Sequence, residues 1–216
     1  MKKIVILFIS LLILMTALSF YIQPALEETA KKEINHFMQL VINHVSFIHK
    51  IDDQQLLKIQ YNNDKITSFG FNMIYLNRET SEYVNQLEET LSDIEEGQYH
   101  NDSHSVYNKR LKKVSDNQGV IASLPLGSLT NNVFLQHIGP HIHIKYKTLS
   151  IISSQIHKSD KKYGINHILV TIDLTVLVQL QIIVPLNRED YKKEFQIPLV
   201  FEIIEGEVPS WYQGLS

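Results

Sequence analysis

Three hydrophobic patterns follow one another along the chain, and their order predicts its elements. From Ile4 to Ile22, nineteen residues run without a charge. At about 1.5 Å rise per residue this stretch reaches roughly 28 Å, close to the hydrocarbon thickness of a bilayer. Met1-Lys2-Lys3 precedes it, and a basic flank holds an N-terminus in the cytoplasm while the rest is exported. Residues 1–23 are therefore expected to be a transmembrane signal-anchor, with residues 4–22 in the bilayer. A cleaved signal is the alternative, because Ala17-Leu18-Ser19 offers a small-x-small match, but the apolar run exceeds the about 7–15 residues usual for a signal core. A lipobox would need a cysteine, and the chain has none.

After Pro24 the period changes. Leu26, Ala30, Ile34, Phe37, Val41, Val45 and Ile48 fall three or four residues apart, the stripe of an amphipathic helix with proline in its first turn. It is expected to run on from the anchor, bending at Pro24, and to cover the domain's own sheet; a homodimeric coiled coil is the rival use of the stripe. Leu56–Tyr61 and Lys65–Leu76 read as strands around an Asn62-Asn63-Asp64 turn. A helix over Glu79–Ile94 follows, with Tyr83, Leu87, Leu91 and Ile94 on one face and Gly97 at its end. Residues 24–97 thus form helix, hairpin and helix. Residues 98–117 are polar and are expected to be a mobile loop.

In 118–216 the period becomes two. Apolar residues hold every second position from Ile168 to Val184, opposite His167, Thr171, Asp173, Thr175, Gln179 and Gln181. That is a long, half-buried strand. Ile142–Ile156 reads as its partner, joined through residues 159–164, and Tyr191–Ile203 as a third strand. Short links make neighbours antiparallel, and a sheet with one apolar face needs cover. The expected fold is α+β: an N-terminal transmembrane helix, then an antiparallel β-sheet of long strands covered on one face by amphipathic helices.

Composition narrows the function. The chain has 216 residues, 44% apolar and 20% charged, enough for an anchor and one domain. Net charge is −3, and setting aside Lys2 and Lys3 leaves 18 basic against 23 acidic side chains. An acidic domain is a poor partner for nucleic acid, which needs a basic patch. Without cysteine, disulfides, thiolate metal sites and a cysteine nucleophile are excluded.

Candidate chemistry is sparse. His137, His141 and His143 stand as H-x-x-x-H-x-H, and on a strand His141 and His143 would share a face, as two metal ligands must. No acidic residue stands near them in sequence, and the simpler reading puts both on the solvent face opposite Ile142 and Ile144. His36, His44, His100, His104 and His157 read as surface residues. Leu126-Gly127-Ser128-Leu129-Thr130 is not a nucleophile elbow; Ser128 reads as the cap of a short helix over 129–136. Paired carboxylates such as Glu88-Glu89 and Glu95-Glu96 decorate a helix surface. No phosphate-binding loop or dinucleotide fingerprint is present in the sequence. The expectation is a non-enzymatic protein without a cofactor.

Several pieces in the second half also carry a resemblance. Leu124-Pro125-Leu126-Gly127-Ser128-Leu129-Thr130, then Gly139-Pro140, Gly164-Ile165-Asn166, Val184-Pro185, Ile197-Pro198 and Gly206-Glu207-Val208-Pro209-Ser210-Trp211-Tyr212 together resemble the sporulation protein YunB family of endospore-forming bacteria. The order and spacing of these pieces over 121–212 carry the likeness, and the first half fits more loosely. The chain departs from the family pattern where His167-Ile168 replace a Gln-Thr pair and Val170 replaces a His. The resemblance implies a membrane-associated factor of the mother cell during spore formation and carries no catalytic residues with it. Gly127, Gly139, Gly164 and Gly206 are expected in turns with unusual backbone angles. Pro185, Pro198 and Pro209 suit strand ends or edges; Pro125 and Pro140 are expected to serve the fold as parts of the motifs, and Asn166 opens a strand.

Three functions follow as expectations. The first is an anchored envelope or assembly factor touching an envelope protein through a sheet edge or through Trp211-Tyr212. The second is an extracytoplasmic sensor of a small ligand or glycan, with residues 98–117 as a lid beside a concave pocket. The third is a metal-dependent hydrolase built on His137, His141 and His143.

Overall fold

The structure is a computed structural model and describes residues 2–49, 52–62, 65–100, 106–130, 132–163, 167–185 and 187–205. Helix α1 spans Lys2–Ile48 and α2 Asp53–Leu56; strands β1 (Leu57–Asn62) and β2 (Lys65–Phe71) follow, then α3 (Met73–Glu96) and α4 (Val106–Asp116). Strand β3 (Val120–Pro125) leads through two 3-10 turns, Leu126–Leu129 and Val133–Leu135, to β4 (His141–Tyr163), β5 (His167–Val184) and β6 (Asn187–Glu205). β1 and β2 form an antiparallel hairpin. The other sheet has the order β3-β4-β5-β6, with β3 antiparallel to β4. The fold is α+β, three long helices with an antiparallel sheet.

The predicted anchor, residues 4–22, lies within α1, and Pro24 sits inside the same helix. The side chains of residues 2–7 and 10–19 fall outside the described ones. Among the described residues no helix is long and apolar enough to cross a membrane. The six stripe positions from Leu26 to Val45 are buried, whereas the seventh, Ile48, is exposed at the helix end.

Strand β5 matches its pattern. Every second side chain from Val170 to Val184 is buried, and the intervening ones are half-buried. Each such aliphatic side chain stabilises the fold by about 1.5–3 kcal/mol when withdrawn from water. The prolines obey their missing N–H: Pro125 ends β3 and Pro198 lies in β6, the two edge strands of the order, and Pro185 follows β5.

Four expectations are corrected. The strand predicted to reach Leu76 ends at Phe71. The Asn72 side-chain oxygen accepts from the Tyr75 N–H at 3.3 Å, and its carbonyl accepts from the Leu76 N–H at 2.9 Å. This cap starts α3 six residues before the predicted helix. The polar segment 98–117 is largely helical, as α4. Leu111 is fully buried, the Tyr99 N–H donates to Ser115 Oγ, and the Tyr99 hydroxyl donates to Asn108 Oδ1, both at 3.2 Å. β4 runs on to Tyr163 through most of the predicted connection. His44, expected at the surface, is buried. Residues 101–105 and 164–166 lie outside the described ones.

The chain divides into two compact units. The first comprises Met1–Val41, Ser92–Thr148 and Leu180–Tyr191. In it Phe37 of α1 packs its ring 4.8 Å from that of Tyr146 on β4. Lys31 of the same helix pairs with Glu189 of β6 at 2.6 Å, and Asn187 donates to Glu27 at 2.9 Å. The Thr148 N–H donates to the Glu95 carboxylate at 2.7 Å, tying the end of α3 to β4. The second unit comprises Ile42–Leu91, Leu149–Gln179 and Lys192–Ser216. Its core gathers Leu56, Tyr75, Leu76, Ile172 and Val200, with Phe71, Ile156 and Leu199 packed against them.

Candidate functional site

The connection from β3 to β4, in the first unit, folds into a closed knob. The Leu126 N–H donates to the Pro140 carbonyl and the Gly127 N–H to the Ile138 carbonyl, each at 2.9 Å. The Gly127 carbonyl accepts from both the N–H and the hydroxyl of Thr130, at 3.1 and 2.7 Å. Asn132 caps the second turn, its side chain accepting from the Phe134 N–H at 3.0 Å. The Ile138 N–H returns to the Leu135 carbonyl at 2.9 Å. Every one of these bonds uses main-chain groups, so backbone geometry sets the shape of the loop.

Two glycines make that geometry accessible. Gly139 has φ +107°, a conformation L side chains rarely adopt. Gly127 is needed for space instead of angle: a Cβ there would lie 1.8 Å from the Leu135 carbonyl oxygen and 2.6 Å from that of Ile138. Ser128 caps no helix over 129–136; it lies within the first turn and donates to the Pro125 carbonyl at 2.7 Å.

The knob turns its apolar side chains outward. Phe134 is 90% exposed, Val133 75% and Ile138 60%. Contiguous exposed apolar groups on a fixed backbone mark interaction surfaces more often than isolated ones do. The sequence reading placed Val133-Phe134-Leu135 in a short helix over 129–136 and gave them no surface role.

The histidine candidates separate. His137 is exposed in the knob. His141 and His143 share the exposed face of β4, opposite buried Ile142 and Ile144, and face Pro125 and Ser123 across the ladder. Among the described residues no group of three His, Cys, Asp or Glu could hold a metal ion. Pro125 and Pro140 bracket the knob. Gly164, Asn166, Gly206, Pro209, Trp211 and Tyr212 lie outside the described residues.

The first unit also holds a cavity of about 470 Å³. Its walls come from α1 (Glu33, His36, Phe37, Leu40), from α4 (Arg110, Leu111, Lys113, Val114) with Asn117, and from β3 (Val120 to Ser123) with His143 of β4. The segment predicted as a lid thus supplies a wall.

Elsewhere, burial sets the titration of several groups. Desolvation lowers the pKa of His44. Burial pushes Tyr83 up to about 12 against the opposing bond from Ser46, and pushes Tyr191 to about 12 as well. In the second unit His49 Nε2 lies 3.3 Å from Glu79, and its ring stands edge-on to Tyr83.

Comparison with known proteins agrees with the motif likeness. The family model of sporulation protein YunB matches residues 121–211. Sporulation protein YunB of Bacillus subtilis (strain 168) is 24% identical over 198 residues, covering 89% of this chain and 72% of the relative. No solved structure matches. The family match takes in most of β3, the whole knob and β4 to β6. Over residues 121–211, and more loosely over the rest of its length, the chain is similar to the sporulation protein YunB family.

Proposed function

We propose that this YunB-type sporulation protein is a non-enzymatic envelope or assembly factor. It is held in a membrane by residues 4–22, with its N-terminus cytoplasmic and the rest extracytoplasmic, in the mother-cell or outer forespore membrane. The knob at 132–138 is its contact with an envelope protein. What supports the contact is the exposure of Val133, Phe134 and Ile138 on a backbone fixed by Gly127 and Gly139. A rigid apolar anchor loses little conformational entropy on binding. What supports the anchor is the uncharged run after Lys2-Lys3.

The test is a photocrosslinking amino acid placed at Phe134 of the full chain in sporulating cells, with exposed Lys192 as the control position. A discrete adduct from 134 alone is expected. Equal labelling from both positions, or none from 134, would remove the knob from the account. A fluorescent fusion enriched around the forespore, with the domain shielded from protease added to the mother-cell cytoplasm, is the expected placement.

A second reading, an extracytoplasmic ligand sensor, is favoured by one observation: the cavity beside α4. It stands or falls on small-molecule binding.

A further inference from the structure

We infer that this cavity takes a small organic anion with an apolar body, a carboxylate or phosphate ester on a ring or short chain; the inference rests on the sensor reading and names its ligand class. Its volume, about 470 Å³, is that of a small-ligand pocket. Arg110 and Lys113 stand three residues apart on α4, the spacing that puts two side chains on one helix face, and both line the cavity. Neither has an ion pair among the described residues. Glu33 is the one carboxylate in the lining, so two cations face one anion. The imidazoles of His36 and His143, with the Asn117 amide, add donors. The apolar part comes from Phe37 and Leu111, both buried, and from Leu40 and Ile121.

These features select against the alternatives. A cation would meet a lining with one positive charge in excess, since Glu33 offsets only one of Arg110 and Lys113. A purely apolar guest would strip water from the guanidinium and ammonium without replacing it, which is costly for charged groups. An anion with an apolar body satisfies both parts of the lining, and a guanidinium grips carboxylate and phosphate oxygens in paired hydrogen bonds.

The experiment is calorimetric titration of the full chain in non-ionic detergent micelles, with empty micelles as the blank. The probes are 2-naphthoate, 2-naphthyl phosphate and the neutral 2-naphthamide, which share one ring system. Both anions are expected to bind at one site per chain, and the amide about tenfold more weakly or worse, the worth of a charged hydrogen bond. Arg110→Glu should weaken the anions by at least about tenfold and leave the amide unchanged. Arg110 is exposed, so the fold should tolerate the change, and an unchanged near-ultraviolet spectrum checks that it does. Ser123→Trp, at an exposed strand position on the rim, should block all three probes. Tighter binding of either anion identifies the head group within the proposed class. Equal binding of all three probes, blocked by Ser123→Trp, would overturn the anion assignment and leave the sensor reading standing. Binding of none would overturn both.

Discussion

Gly127 and Leu135 meet so closely that no side chain fits between them: a Cβ on the glycine would sit 1.8 Å from the leucine carbonyl oxygen. The contact is main chain against main chain, across a loop that also returns Ile138 to Gly127 and Pro140 to Leu126. One motif of the family likeness, Leu124 to Thr130, therefore serves the fold directly. Through the fold it presents Phe134 to solvent. A structural and a binding role for these residues are not rivals here.

Gly127→Ala should accordingly be severe. The methyl group meets backbone on two sides and cannot be relieved by turning a side chain. A loss of about 3 kcal/mol or more is expected. Gly139→Ala, at φ +107° with its Cβ 3.2 Å from Leu126 Cβ, should cost about 1–3 kcal/mol. Denaturant midpoints of the two variants, compared with the parent, check the ranking. A Gly127→Ala midpoint equal to the parent's would refute the close contact.

Phe134→Asp should separate stability from function. The ring is 90% exposed and contributes little to the core, so the unfolding free energy should move by no more than about 0.5 kcal/mol. The proposed partner contact should nevertheless be lost, read as disappearance of the crosslinked adduct when the crosslinker is moved to Val133 in the Phe134→Asp chain. Retention of the adduct would show that the ring is not the anchor.

Legibility in the sequence followed the strength of each pattern. β5 was plain because its period of two runs without a break from Ile168 to Val184, and every second side chain from Val170 to Val184 is buried. Tyr83, Leu87, Leu91 and Ile94 were assigned to one helix face and are all buried. The strand-like reading of Lys65–Leu76 failed because Asn72, a single cap residue, outweighs an apolar run. α4 was hidden because its described side chains bury few apolar groups, Leu111 fully and Val114 in part, and it anchors itself with the polar Asn108 and Ser115. The knob was illegible for a related reason: it depends on tertiary return of the chain, and no local period announces that; of the cavity, the place beside 98–117 was expected, but not its walls from α1, β3 and β4.

Tyr83 offers a test of the second unit. Its buried hydroxyl donates to the Ile42 carbonyl at 3.2 Å and so accepts from Ser46 Oγ at 2.9 Å. Tyr83→Phe removes both bonds of that hydroxyl and should cost about 1–2 kcal/mol. Ser46→Ala, at an exposed position, should cost less, and in the Tyr83→Phe background almost nothing. A double-mutant cycle measures the difference. Additive losses would mean that the two hydroxyls are not bonded.

The last prediction concerns acid. Desolvation holds the pKa of His44 below its ordinary 6.5, so the folded chain keeps the imidazole neutral at pH values where the unfolded chain protonates it. In that window the unfolded state binds more protons, and stability falls as pH falls. The contribution is fully present above the unfolded value of 6.5 and is lost progressively as pH drops toward the folded one. Unfolding midpoints measured from about pH 7.5 down to 5 should therefore decline for the parent chain and decline less steeply for His44→Gln, whose side chain cannot take up the proton. The other histidines are common to both chains and cancel in the comparison. Parallel curves would mean that His44 is solvated in the folded chain, and the burial of α1 around it would have to be redrawn.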